Sequence, residues 1–160
     1  MNEKEYYNDL MVRMEELFYH ELSDCAAFKV ELVGVDFIQS RDIKGDTAEE
    51  VVQNCIREIK EAGFVKEIGY DISGMGIKFE LRISGCVHLP KEAKLRKNGV
   101  KPYICPIANM FLDQLIEKLG YETTYIASIE SDEQSGECKI WSAIYETEEQ
   151  IGQVCNWHEE

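Results

Sequence analysis

From Ile77 to Ser84 the chain alternates without a fault: Ile77, Phe79, Leu81 and Ile83 are apolar, while Lys78, Glu80, Arg82 and Ser84 are polar. Successive side chains of a strand point to opposite faces, so this stretch needs one covered face and one wet face. It reads as a half-buried antiparallel strand. Just before it, Ile68, Tyr70 and Ile72 share one face of segment 64–72, and Ser73-Gly74-Met75-Gly76 supplies a hairpin turn. No lysine–threonine pair or helix start follows those glycines, so they are read as a turn and not as a phosphate loop. A second hairpin is expected from 122–130 and 138–145. Tyr125, Ala127 and Ile129 alternate in one arm, and Ile140, Ser142 and Ile144 in the other.

Helical periodicity supplies the covering layer. Residues 2–22 repeat Tyr6, Tyr7, Leu10, Met11, Met14, Leu17, Phe18 and Leu22 at three and four. Asp46-Thr47-Ala48-Glu49 has the capping pattern, and a helix runs from it to about 62, ending at Gly63. Val51, Val52, Cys55, Ile56 and Ile59 form its buried stripe, which makes Cys55 inert core. Pro106 opens a third helix whose buried face is Ile107, Met110, Phe111, Leu115, Ile116 and Leu119, with Gly120 at its end. A short helix is expected from Pro90 and another after Thr147. Segment 26–38 reads as a strand bent at Gly34. The fold class is therefore α+β: an antiparallel sheet of two hairpins plus an N-terminal strand, covered by helices. A length of 160 residues fits a single domain over 1–160.

The net charge of −14 repels phosphate and anionic lipid, so nucleic acid and membrane are not expected partners. No apolar run approaches the roughly 20 residues that span a bilayer. Met1-Asn2-Glu3-Lys4-Glu5 lacks a signal-peptide core, which points to a cytoplasmic protein with reduced thiols. The six cysteines contain no Cys-x-x-Cys pair, so neither a disulfide framework nor a zinc ribbon is expected.

Chemistry-bearing residues concentrate between Gly85 and Cys138. Cys86 and His88 are two apart and point the same way on an extended chain. Cys105 begins a helix, where free amides and the helix dipole lower a thiol's pKa. Glu130 and Cys138 flank one hairpin turn. Thiolates, imidazole and carboxylate together suit zinc, and the expected metal set is Cys105, Glu130 and Cys138 with His88 or Glu133. Lys91, Lys94, Arg96, Lys97 and Lys101 form either an anion-attracting patch or a solvated helix face. Cys86, Met110, Phe111 and Tyr125 are the expected lining of an apolar ligand site. Cys25, Cys155, Trp157 and His158 lie outside this constellation.

Cys105-Pro106 opening an amphipathic helix, then Glu130 ending a strand, then Gly136-x-Cys138 and an apolar strand, resembles the 4-vinyl reductase domain family. The resemblance covers roughly residues 85–145. It implies a small-molecule-binding module, in some members a sensor of aromatic or other hydrophobic ligands, on a fold shared with vesicle-tethering subunits. It also implies zinc, with Cys105, Glu130 and Cys138 matching the family's ligands. The chain departs where Glu133 stands in place of a further cysteine. Two other functions compete. One is a thiol-dependent hydrolase with Cys105 as nucleophile and His88 as base, similar to aminothiazoline carboxylate hydrolases, although no Asn or Asp is identifiable as the orienting third member. The other is a homodimeric interaction protein, with the wide apolar face of the first helix buried against its copy.

Overall fold

The structure is a computed structural model and describes residues 2–22, 30–73, 78–121, 123–145 and 147. The alternating stretch forms strand β2 (Lys78–Ser84), with Phe79, Leu81 and Ile83 all buried. Strand β1 (Glu67–Ser73) pairs with it antiparallel, Tyr70 opposite Leu81. Strands β3 (Thr123–Asp132) and β4 (Glu137–Tyr145) form the second hairpin, and β4 docks on β2 with Ile140 opposite Leu81. The sheet order is β1-β2-β4-β3, so the two hairpins lie side by side with β2 and β4 central.

Five α-helices accompany the sheet among the described residues: α1 (Glu3–Leu22), α2 (Val35–Gln39), α3 (Ala48–Glu61), α4 (Leu89–Lys97) and α5 (Pro106–Leu119). The apolar stripe of α3, including Cys55, joins Phe111 and Leu115 of α5 and the inner face of the sheet in one core. Phe111 meets Phe79 of β2 edge-on at 6.0 Å between ring centroids. The α+β layering expected from the sequence is thus present.

Several local expectations change. Segment 26–38 does not form the expected strand: among its described residues, Val30–Leu32 is a 3₁₀ turn and Val35–Gln39 is α2. The physical reason lies in α5. Asn109 donates its side-chain amide to the carbonyls of Val30 and Val33 at 2.8 and 3.0 Å, taking the place of a strand partner. Gly34 adopts φ +91°, and a Cβ there would stand 2.7 Å from that of Pro106. The parity change around Gly34 is therefore a switch to helical spacing, in which Val35 and Ile38 are the buried pair. Residues 26–29, most of the first hairpin turn and the segment after Thr147 lie outside the described residues, as do Cys25, Cys155, Trp157 and His158.

Helix α3 is capped by Thr47, one residue later than expected. Its hydroxyl accepts from the Glu50 amide at 3.3 Å, and the Glu50 carboxylate accepts from the Asp46 amide at 2.8 Å. Ile116, assigned to the buried face of α5, is exposed. No helix among the described residues is long and apolar enough to cross a membrane.

Candidate functional site

Strand β2 leaves the sheet through Gly85, whose amide donates to the Gly136 carbonyl at 3.0 Å and ties this exit to the β3–β4 turn. Cys86 follows. Cys138, near the start of β4, is flanked by Ile83 on β2 and Ser131 on β3. Cys105 is the N-cap of α5, its sulfur accepting from the Ala108 amide at 3.4 Å. The three thiols are 7–8% exposed and belong to the same core.

Helix α4 lies across this end of the molecule and links the flanks of the cluster. Lys91 donates to the carbonyl of Ile104 at 2.8 Å, one residue before Cys105. Arg96 donates to the Ile129 carbonyl at 2.8 Å and to the hydroxyl of Ser131, the residue opposite Cys138, at 3.2 Å. Between these two anchors sits Glu92. Its carboxylate is almost fully buried; Oε1 pairs with Lys91 at 2.8 Å, and Oε2 has no hydrogen-bond partner.

The electrostatics bind these groups into one neighbourhood. Burial pushes the Cys105 thiol far up, and Cys86 and Glu92 push the same way. Cys138 is raised to about 12, again by burial first, then by Cys86 and Glu92, with Arg96 and Lys91 opposing. Burial also raises Cys86, although the amides of His88 and Leu89 pull it down. Glu92 is raised by burial in spite of Lys91. The expectation of a low-pKa Cys105 is therefore overturned: loss of solvent outweighs the Ala108 amide at the helix N-terminus.

Lys91 itself is fully buried. Its ammonium is held by Glu15 of α1 at 2.6 Å, by Glu92 and by the Ile104 carbonyl. Burial pulls its pKa down, but the two carboxylates pull harder and the net shift is upward. Glu15 also accepts from the amides of Tyr103 and Ile104, at 2.9 and 3.1 Å.

The expected metal set is not brought together. Register places Glu130 opposite Lys139 and Ser131 opposite Cys138, so Glu130 and Cys138 lie on opposite faces of the sheet. Glu130 is exposed, and so is Glu133 in the turn. His88 precedes α4. Burial, then Lys91 and Lys4, lower its pKa to about 4 and keep the imidazole neutral. The groups acting most on Cys105 are Cys86, Glu92, the Ala108 amide and Lys91, and His88 is not among them. Among the described residues, no three His, Cys, Asp or Glu side chains stand in a metal-holding arrangement. Met110 and Phe111 are packed into the core, and the side chain of Tyr125 lies outside those described. A groove of about 610 Å³ crosses the end of the sheet, lined by Glu67, Arg82, Glu130, Glu137 and Lys139 among others.

Reading the chain misses Glu92 and places Lys91 in an anion-attracting patch or a solvated face, whereas both are buried. They sit in a short, largely polar helix, where charged positions read as a solvated face. Comparison with family models, curated proteins and solved structures gives no match.

Proposed function

We propose that this chain is a small-molecule-binding module whose recognition site is the polar cluster beneath α4. The observation that carries the reading is Glu92 Oε2, buried with no partner. An unsatisfied buried acceptor costs on the order of 1–3 kcal/mol, and such groups call for a specific reason. A ligand that satisfies the carboxylate supplies one. The resemblance to 4-vinyl reductase domains supports the same class, with a hydrophobic small molecule and zinc as its ligands. The thiol-hydrolase alternative has less support, because a nucleophile works as thiolate and burial holds Cys105 protonated.

Glu92→Gln tests the reading, since a group kept for binding is not kept for stability. The ligand-free variant is expected to match the parent or to gain up to about 1–2 kcal/mol in urea denaturation. In thermal-shift screening, the hydrophobic small molecules or divalent cations that stabilise the parent should lose their effect on the variant. A loss of more than about 2 kcal/mol in the ligand-free variant would make Glu92 a structural partner of Lys91 and remove the proposal's support.

A second observation favours a homodimer built on α1. Tyr7, Leu10, Met14 and Leu17 follow a 3-4-3 spacing, and each is 43–56% exposed. That spacing forms the seam of a helix pair, so the occupant it suits is the same helix of a second copy. Sedimentation equilibrium is expected to give a dimer for the parent and a monomer for Leu10→Glu/Leu17→Glu. A parent that stays monomeric at tens of micromolar would rule the dimer out.

A further inference from the structure

We propose that the outer edge of β1 docks an extended segment of another protein, which pairs with it as an added strand and sets basic residues opposite Glu67 and Asp71 and an aromatic residue opposite Gly69. This surface is separate from the cluster beneath α4 and does not depend on the binding reading above.

The two edges of the sheet are finished differently. Strand β3 carries a register shift between Ile126 and Ser128, and Arg96 of α4 donates to its Ile129 carbonyl. A bulge and a covering helix are common means of closing an edge. Strand β1 runs in unbroken register with β2, from Glu67 opposite Ser84 to Ser73 opposite Lys78, and among the described residues β2 is its only strand neighbour. It contains no proline and no lysine. An extended chain can add to such an edge through main-chain hydrogen bonds.

The side chains select the occupant. On the inner face Ile68, Tyr70 and Ile72 are half-buried and pack on the margin of the core, so alternate residues of the added strand extend that margin if they are apolar. On the outer face stand Glu67, Gly69, Asp71 and Ser73, two carboxylates and no cation. Asp71 lies opposite Glu80, a like charge, and Glu80 already holds the neighbouring Arg82 at 2.6 Å. Glu67 meets Lys60 of α3 at 2.6 Å, but the two side chains are 73% and 37% exposed, and an exposed pair yields readily to a competitor. Lysine or arginine opposite both carboxylates completes the pairing, and the net charge of −14 draws a basic segment in. A second copy of β1 would bring the same carboxylates and no cation.

Gly69 is an independent indication. Glycine inside a strand marks a bulge, a bend or the close approach of another group. There is no bulge in β1, and Gly69 is not among the glycines with positive φ. A Cβ there would meet nothing nearer than Arg82 Nε at 3.6 Å, an ordinary contact. Among the described residues, then, no packing or backbone constraint requires this glycine. An aromatic ring on the added strand supplies a reason: it covers the bare backbone and stacks on the Arg82 guanidinium. Gly69 and Arg82 also line the groove across the end of the sheet, which gives the ring a recess.

The test uses the full, reduced chain and a labelled peptide, acetyl-Lys-Val-Tyr-Val-Lys-Val-amide, whose first five residues read alike in both directions and so fit parallel or antiparallel docking. Fluorescence anisotropy at low salt is expected to show saturable binding. Exchanging both lysines of the peptide for glutamate should weaken it about 10-fold, and exchanging the tyrosine for alanine about 3–10-fold. The variant Glu67→Lys/Asp71→Lys, altered only at exposed positions, should prefer the glutamate peptide. Its net charge is still negative, so bulk attraction cannot produce that reversal. Amide hydrogen exchange should slow within 68–72 when the lysine peptide binds. Equal binding of both charged peptides by the parent, protection confined to other elements, or no binding below about 1 mM would each overturn the proposal. Slowed exchange in β1 that grows with protein concentration and needs no peptide would assign the edge to a second copy and overturn it as well.

Discussion

Lys91→Met is expected to cost the folded protein about 3–5 kcal/mol, the range for breaking a buried ion pair from one side. Lys91 and Glu15 are 0% and 2% exposed at their side chains and 2.6 Å apart. The substitution leaves two carboxylates, Glu15 and Glu92, facing an apolar side chain with no water to replace the ammonium. Helix α1 should feel this most. Among the described residues α1 is attached by a small buried cluster of Val12 with Leu95 and Val100, by the ring contact of Tyr19 with Tyr103, and by polar links that include Asp9 with Lys94, Asn8 with the Val87 carbonyl, Glu16 with Asn98, and Glu15 with Lys91, Tyr103 and Ile104. Urea denaturation measures the total loss, and limited proteolysis should show cleavage within α1 before the sheet is attacked. The double variant Glu15→Gln/Lys91→Met should recover part of the loss, because it removes one of the stranded charges. A single-variant loss below about 1 kcal/mol would mean that the network is not what anchors α1. The sign with pH follows from the raised Lys91 pKa: its contribution is present at neutral pH and is lost only as alkali deprotonates the folded protein, above the ordinary lysine range.

Phe111→Ala is the second large effect, also about 3–5 kcal/mol. Phe111 is wholly buried in the middle of α5, between the sheet and α3, and its ring meets Phe79 at 64°. Truncation removes the transfer energy of the ring and an aromatic contact, and opens a cavity in a close-packed layer. Ile116→Ala on the same helix supplies the control. Its side chain is exposed, and a change within about 0.5 kcal/mol is expected. Equal losses at both positions, measured by thermal and urea denaturation, would mean that α5 is buried differently from the arrangement described.

These two residues differ in how far the chain announced them. Phe111 was legible, because an apolar stripe at three and four has one physical solution, a helix laid on a core. Ile116 shows the limit of that reading: it shares the periodic spacing yet is exposed, since periodicity cannot say where the covering layer stops. The strand expected before residue 38 failed for a related reason. A short apolar run fits helix or strand equally, and Asn109, more than 70 residues away in sequence, decided the matter by taking its carbonyls.

Among the candidate site residues, Cys86, Cys105 and Cys138 are visible as thiols at the ends of elements, and the folded chain buries all three in its main core. Glu130 lies near the β3–β4 turn in sequence, but successive residues of a strand alternate faces, and its pairing with Lys139 puts it on the face away from Cys138. The sequence by itself determined the layers: alternation and helical periodicity are local, and each leaves a face that must be covered. Which charges would be buried, and whether Cys105 would be a thiol or a thiolate, only the tertiary structure decided. Those outcomes depend on desolvation, and the water removed from Glu92, Lys91 and Cys105 is displaced by segments distant in sequence.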